Sequence, residues 1–154
     1  METGKYRSSL QEKLARFEQA CRKAGLKLTH QRLAVYRELA AATDHPSAEM
    51  LHCRLKSSLP TISLDTVYRT LTTLEQYGLV RKVETIESQA RYEAEMHGHH
   101  HLICSRCKKI IDFHWPDFDE IPLPEGLGDF GRIRNRSVVL SGICRRCLEK
   151  KADA

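Results

Sequence analysis

A dense group of potential metal ligands lies in the middle of the chain, in the stretch HGHHHLICSRC at residues 97–107. It holds four histidines and two cysteines, and a second cysteine pair follows after 36 intervening residues. Imidazole nitrogens and thiolate sulfurs are ligands that zinc and other transition metals prefer. The pattern predicts metal binding, with more ligands than one tetrahedral site needs.

The sulfur ligands form two CxxC motifs, contributed by Cys104, Cys107, Cys144 and Cys147. Two such pairs present four thiolates to one tetrahedral zinc ion, the closed arrangement of structural sites. A redox CxxC motif would begin a helix in a thioredoxin-like βαβ unit, which the flanking sequence lacks, and would not need a second pair. We therefore predict one structural zinc ion.

The histidines suggest a second site of different chemistry. In a strand, residues two apart point the same way, so His99 and His101 share one face and His100 faces the other. Carboxylates are suitable co-ligands: Glu93 has the same parity, and Asp112 follows on a strand that pairs back across the SRCKK turn. A further histidine must come from elsewhere in the chain.

Length and composition indicate a soluble globular protein. The 154 residues, 41% hydrophobic, suffice for one ordinary domain or two small ones. No run of eighteen apolar residues occurs, and the N-terminus is too charged for a secretion signal. We expect a cytoplasmic protein with no membrane segment, in which the six cysteines stay reduced.

Charge is divided unevenly along the chain. Residues 1–82 hold 14 lysines and arginines against 8 acidic residues, a net of +6, whereas residues 83–154 hold 11 against 12, a net of −1. Any surface that binds a polyanion therefore belongs to the first half.

Apolar spacing and capping residues predict four helices in that first half. The second, third and fourth begin after Thr29, Ser47 and Ser63, and the third ends before Pro60. Glycines at 25 and 78 suit the left-handed ends of the first and fourth. The first helix carries an apolar stripe formed by Leu10, Leu14, Phe17 and Cys21.

Two strands are predicted directly after the fourth helix, in LVRKVETIESQARYEA. Short helices followed by a basic hairpin are typical of a winged helix-turn-helix, whose recognition helix would here begin after Ser63. Tyr68 and Arg69 lie off its apolar stripe, where they could contact a thymine methyl, a guanine or a phosphate. A solvated helix face is the alternative, and the wing and the charge asymmetry favour DNA binding.

Three stretches together resemble the ferric uptake regulator superfamily over nearly the whole chain: GLKLTHQRLAVYRELAAATDHPSAEMLHCRLKSSLPTISLDTVYRTLTTLEQYGLVRKV, ARYEAEMHGHHHLICSRCKKIIDF and CRRC. The resemblance implies a homodimeric, metal-responsive repressor of palindromic double-stranded DNA with a mixed α/β (α+β) fold. We expect a winged-helix domain at residues 1–85, a hinge at 86–96 and a metal-binding dimerisation domain at 97–154.

The same resemblance implies particular roles for single residues. It supplies His45 as the missing ligand of a regulatory site shared with Glu93, His99, His101 and Asp112, and Lys27 as a minor-groove contact. This all-nitrogen-and-oxygen ligand set suits Fe(II) or Mn(II). Asp112 is similar to the peroxide-sensing branch and Glu93 to the iron-sensing branch, so a peroxide sensor is our interpretation and an iron-responsive regulator the alternative.

Two departures from the family pattern are visible. A further metal site of iron sensors would need ligands at Gly98 and Arg136, which cannot bind a metal, beside His100 and Asp119. Prolines and glycines at residues 115–137 predict that the helix between the two CxxC motifs is short or absent. The following SVVLSGIC segment is predicted as a strand that could extend an intersubunit sheet.

Two other classes of function could use parts of this sequence. A zinc hydrolase would use an open metal site with a general base such as Glu93, but no substrate pocket is indicated and the ligand set is crowded. A structural zinc-ribbon module would explain the cysteines but neither the winged helix nor the second ligand set. Metal-dependent binding to a palindromic duplex without turnover distinguishes the regulator from both.

Overall fold

Helices form most of the N-terminal part of the computed structural model, which describes residues 8–85 and 89–150. The chain divides into two units, Met1–His97 (unit 1) and Gly98–Ala154 (unit 2). Within the described ranges, no helix has both the length and the apolar character needed to cross a bilayer.

The helices of unit 1 are α1 (Leu10–Lys23), α2 (His30–Ala41), α3 (Ala48–Leu55) and α4 (Leu64–Gln76). Each follows a capping residue whose hydroxyl accepts a hydrogen bond from an amide three residues later, and these caps are Ser9, Thr29, Ser47 and Ser63. One such cap stabilises a helix by about 1 kcal/mol. The three predicted caps are confirmed, and Gly25 and Gly78 adopt the expected left-handed conformation, with φ of +66° and +67°.

The helices enclose an apolar core in which Phe17 stacks on Tyr36 at 4.0 Å between ring centroids. The largest fully buried aliphatic side chains around them are Val35, Leu39, Leu51, Val67, Leu71, Leu74 and Val80. The prediction that Leu10 belongs to the buried stripe of α1 is wrong: Leu10 is exposed, and Lys13 is buried instead. Lys13 can enter because its ammonium group is paired with Glu95, a contact far away in sequence.

A two-stranded hairpin completes unit 1. Strands β1 (Arg81–Val83) and β2 (Arg91–Glu93) pair antiparallel, with Arg81 opposite Glu93. The two predicted strands are confirmed, although residues 86–88 of the predicted turn lie outside the described residues. Helices α2 to α4 followed by this hairpin form the predicted winged helix-turn-helix.

Unit 2 is built on a three-stranded sheet in the order β4-β3-β5. Its strands are β3 (His100–Cys104), β4 (Ile110–Phe113) and β5 (Val139–Gly142). β4 pairs antiparallel with β3, as predicted, and β5 pairs parallel to β3 of the same chain. Between β4 and β5 lie only α5 (Pro116–Glu120) and a 3-10 turn (Leu127–Phe130), and α6 (Arg145–Glu149) follows β5. The predicted shortening of the intervening helix is confirmed.

Candidate metal centres and DNA-binding surface

Four cysteines converge in unit 2 from two distant segments. Cys104 ends β3, Cys107 lies in the following turn, Cys144 directly precedes α6 and Cys147 lies within it. All four are reduced, and their Sγ atoms lie within 4.8 Å of one another, with 3.7 Å between those of Cys107 and Cys144. Tetrahedral zinc with bonds of about 2.3 Å holds sulfurs about 3.8 Å apart. The cluster therefore has the dimensions of a structural zinc site.

Local hydrogen bonds prepare this cluster for a cation. The Cys144 amide donates to the Cys104 Sγ over 3.4 Å, and this and neighbouring amides lower the pKa of the Cys104 thiol to about 5. Hydrogen bonds with other sulfurs, of which that with Cys144 has the largest effect, raise the pKa of Cys147 to about 12. Zinc binds thiolates and not thiols, so zinc binding would release the protons that these sulfurs still hold.

In unit 1, His45 and Glu93 form one buried donor pair, with 3.3 Å between His45 Nε2 and Glu93 Oε2. The other oxygen of Glu93 accepts a 2.6 Å hydrogen bond from Arg81 Nε. His45 has a left-handed backbone with φ of +50° although a proline follows it, a conformation that costs on the order of 1–3 kcal/mol. Arg91 compensates by donating to the His45 carbonyl and, over 2.9 Å, to that of Asp44.

In unit 2, His99, His101 and Asp112 bring three donors together. Asp112 lies opposite His101 on β4. Its Oδ1 is 3.8 Å from His99 Nε2 and 3.6 Å from His101 Nε2, and the imidazole centroids are 4.8 Å apart. These separations exceed hydrogen-bond length. Atoms bound to one ion at about 2.1 Å lie roughly 3–3.5 Å apart, so the three donors fit a shared metal better than a hydrogen-bonded group.

His100 lies on the opposite face of β3, as the strand parity predicts. It is 1% exposed and contacts the rings of Phe113 and Phe118, each at 5.3 Å between centroids. Its Nδ1 accepts a 3.1 Å hydrogen bond from the Val138 amide, and burial lowers its pKa. His100 is therefore a neutral core residue of unit 2.

The first two turns of α4 carry the predicted DNA-reading residues. The hydroxyl of Tyr68 donates to Glu49 of α3, a hydrogen bond that raises the Tyr68 pKa to about 12. Arg69 is largely exposed and pairs with Asp65 one turn earlier at 3.0 Å. Lys27, ahead of α2, is exposed, and its carbonyl accepts from Arg32 over 2.6 Å. All three predicted residues lie at the surface of unit 1.

Comparisons with known proteins agree with this architecture. Residues 23–123 match the model of the ferric uptake regulator family. The chain belongs to that family. It is 35% identical over 130 residues to a peroxide-responsive repressor, PerR, of Staphylococcus epidermidis, covering 84% of this chain and 86% of that protein. The resemblance inferred from the sequence is confirmed.

Two solved structures place the fold in the same family. The Helicobacter pylori ferric uptake regulator Fur, described with three functional metal-binding sites, aligns with a TM-score of 0.74 at 28% identity, covering 94% of this chain and 97% of that one. A zinc uptake regulator complexed with zinc and DNA aligns with a TM-score of 0.64 at 28% identity, covering 94% and 99%. Members of the ferric uptake regulator family are dimeric, metal-dependent, DNA-binding repressors, and membership excludes the zinc hydrolase alternative.

His100 and Asp119 stand at two of the four positions that the family resemblance links to a further metal site of iron sensors. His100 Nε2 lies 3.3 Å from Asp119 Oδ1, but among the described residues no third histidine, cysteine or acid joins them. Arg136 instead stacks over Phe118 at 5.6 Å and donates to the Ile121 carbonyl. A guanidinium therefore lies close to the ring that packs on His100, and the loss of the further site stays a prediction.

Two residues that hold the candidate site residues were not predicted. Glu49 accepts hydrogen bonds both from Tyr68 and, over 2.7 Å, from Gln89 after the wing turn, so it joins the recognition helix to the wing. Arg81 orients Glu93 across the hairpin. Opposite charges at paired positions of the predicted hairpin could have revealed Arg81, whereas no local pattern distinguishes Glu49 from an ordinary first-turn acid.

Proposed function

We propose that this protein is a peroxide-responsive, metal-dependent repressor that acts in the cytoplasm as a homodimer on palindromic double-stranded operator DNA. The observation that carries the proposal is the separation of two donor sets. Sulfur ligands are confined to Cys104, Cys107, Cys144 and Cys147, whereas the other donors are imidazoles and carboxylates. The first set suits structural zinc and the second a ferrous or manganous ion.

The regulatory site is proposed to combine the donors of the two units on one ion. Unit 1 offers His45 and Glu93, and unit 2 offers His99, His101 and Asp112. Fe(II) and Mn(II) accept more than four nitrogen and oxygen ligands, so neither donor group satisfies such an ion alone. A shared ion links the DNA-binding unit to the dimerisation unit.

Control of DNA binding then follows from this linkage. A metal that binds one arrangement of the two units more tightly shifts the population toward it. In a dimer, α4 of each subunit must meet half-sites about 34 Å apart along the duplex. Metal binding favours the arrangement that meets this spacing, and loss of the metal weakens operator binding.

Peroxide would act on a ligand histidine and not on a cysteine. His45, Glu93, His99, His101 and Asp112 would hold a ferrous ion, which would supply the reducing chemistry that cleaves the peroxide O–O bond. In the net reaction, one peroxide oxygen enters the imidazole of His45 or His99, the other leaves as water, and the histidine is oxidised by two electrons. A 2-oxo-imidazole is a poorer ligand, so the operator is released.

Mass spectrometry tests this proposal directly. Iron-loaded protein exposed to mild peroxide is expected to gain one oxygen on a tryptic peptide containing His45 or His99 and to lose operator affinity. Manganese-loaded protein is the matched control and should remain unmodified, since Mn(II) does not carry out this reductive cleavage. Iron-loaded protein that stays unmodified and bound to the operator would favour the iron-responsive regulator.

Tyr68 provides a separate test of the DNA-binding surface. Tyr68→Ala is expected to lower the affinity ratio of operator to random duplex about 10-fold, because one lost base contact costs roughly 1–3 kcal/mol. Fluorescence anisotropy at fixed salt and saturating Mn(II) measures the ratio. Tyr77→Ala is the control, since this exposed tyrosine lies at the far end of α4. An unchanged ratio for Tyr68→Ala would show that the first turns of α4 do not read bases.

A further inference from the structure

Helix α1 lies almost entirely ahead of the stretch that matches the family model, because that stretch begins at residue 23. It nevertheless carries a buried charge. Lys13 is 4% exposed and lies one turn before the core residue Phe17. Lysines are almost never buried unless they are paired, so the partner of Lys13 indicates why the helix holds this charge inside unit 1.

That partner is Glu95, whose Oε2 lies 3.3 Å from Lys13 Nζ. The ammonium group also donates to the Ala40 carbonyl at the end of α2 over 3.4 Å. Glu95 is 5% exposed and accepts from the Ser8 amide over 3.2 Å, and its Oε1 lies 2.8 Å from His97 Nδ1. We call these four residues, Ser8, Lys13, Glu95 and His97, the α1 clasp.

The α1 clasp holds a particular segment, residues 94–97, that links the proposed metal ligand Glu93 to the first residue of unit 2. Arg81 holds the same segment from the wing, because it donates to Glu93 over 2.6 Å and to the His97 carbonyl over 3.2 Å. The linking segment has no helix or strand of its own. Its position in unit 1 therefore depends on side-chain contacts, and the buried Lys13–Glu95 pair is one of them.

We propose that Lys13 and Glu95 are positioning residues for the regulatory metal site. This inference rests on the proposed function. The α1 clasp fixes the backbone that follows Glu93 and so holds the Glu93 carboxylate in the position in which it would bind the metal. Without the pair, metal binding must order this segment, and part of the binding free energy is lost to that ordering. Groups that hydrogen-bond directly to a ligand change metal affinity about 10–100-fold when they are removed, and we expect the lower end of this range for a pair that acts through the backbone after Glu93.

The variants must separate positioning from folding. Lys13→Met alone leaves the Glu95 carboxylate buried without its ammonium partner, which is strongly destabilising. The double variant Lys13→Met/Glu95→Gln removes both charges, keeps similar side-chain volumes and retains an amide that can bond to Ser8 and His97. Lys23→Met is the matched control, because Lys23 is an exposed lysine in the last turn of the same helix.

Mn(II) is titrated into each full-length, zinc-loaded protein while operator binding is followed by fluorescence anisotropy. The double variant is expected to need about 10-fold more Mn(II) at the midpoint, with unchanged operator affinity at saturating Mn(II) and unchanged zinc content. Lys23→Met should match the wild type. An unshifted midpoint in the folded double variant would overturn the proposal, as would weaker operator affinity at saturating Mn(II) without a midpoint shift. A wild-type protein that ignores Mn(II) would instead contradict the proposed function.

Discussion

Replacing Cys104 or Cys147 with serine will release the tightly bound zinc and unfold unit 2. The described part of unit 2 buries few apolar side chains, namely Ile103, Cys104 and Ile110, and so small a core supplies little stability of its own. Structural zinc contributes apparent binding free energies of about 10–16 kcal/mol in small domains. This is comparable to or larger than the whole stability of an ordinary domain, about 5–15 kcal/mol.

The experiment benefits from the position of the single tryptophan. Trp115 lies in unit 2, between β4 and α5, so its fluorescence follows the melting of that unit. Cys53→Ser is the control, because Cys53 is exposed on α3 in unit 1. Zinc content by elemental analysis and the tryptophan melting curve should change only in the cluster variants. Full zinc content with an unaltered melting curve in those variants would refute a structural four-thiolate site.

Local features of the fold were predictable because short-range contacts determine them. Ser47 and Ser63 each cap a helix through an amide only three residues away. The parity of His99 and His101 depends only on the alternation of a strand. Each CxxC motif presents two sulfurs from one short segment, so two motifs indicated a four-thiolate zinc site. Each of these inferences needs no knowledge of what the segment packs against.

Long-range pairing was not predictable by the same means. The apolar spacing of α1 placed Leu10 inward, but the buried position belongs to Lys13 because Glu95 lies beside it. The apolar periodicity gave no reason to assign a function to His45, and only the resemblance to the ferric uptake regulator family made it a metal ligand. Its left-handed backbone depends on Arg91, which follows it by 46 residues. Such contacts are a property of the assembled core and leave no periodic trace in the sequence.

Changing His99 or His101 to alanine will abolish the response of operator binding to Mn(II) at concentrations that saturate the wild type and will leave the structural zinc in place. Each histidine supplies one of the donors around Asp112, and losing a ligand costs more than losing a supporting group, whose removal alone costs about 10–100-fold in affinity. We expect the Mn(II) midpoint to rise by more than about 100-fold. His45→Ala should behave in the same way, because the proposed ion is shared between the two units.

His100 offers a matched control on the same strand. Alanine at this buried position would leave a cavity between Phe113 and Phe118, so a loss of function could reflect instability. His100→Asn keeps an acceptor close to the position of Nδ1 for the Val138 amide and is the better choice. Titration of each variant with Mn(II), followed by operator anisotropy, should leave His100→Asn responsive and the other three silent. A His100→Asn protein that is folded but unresponsive, beside His99→Ala and His101→Ala proteins that respond normally, would place the regulatory metal on the opposite face of β3.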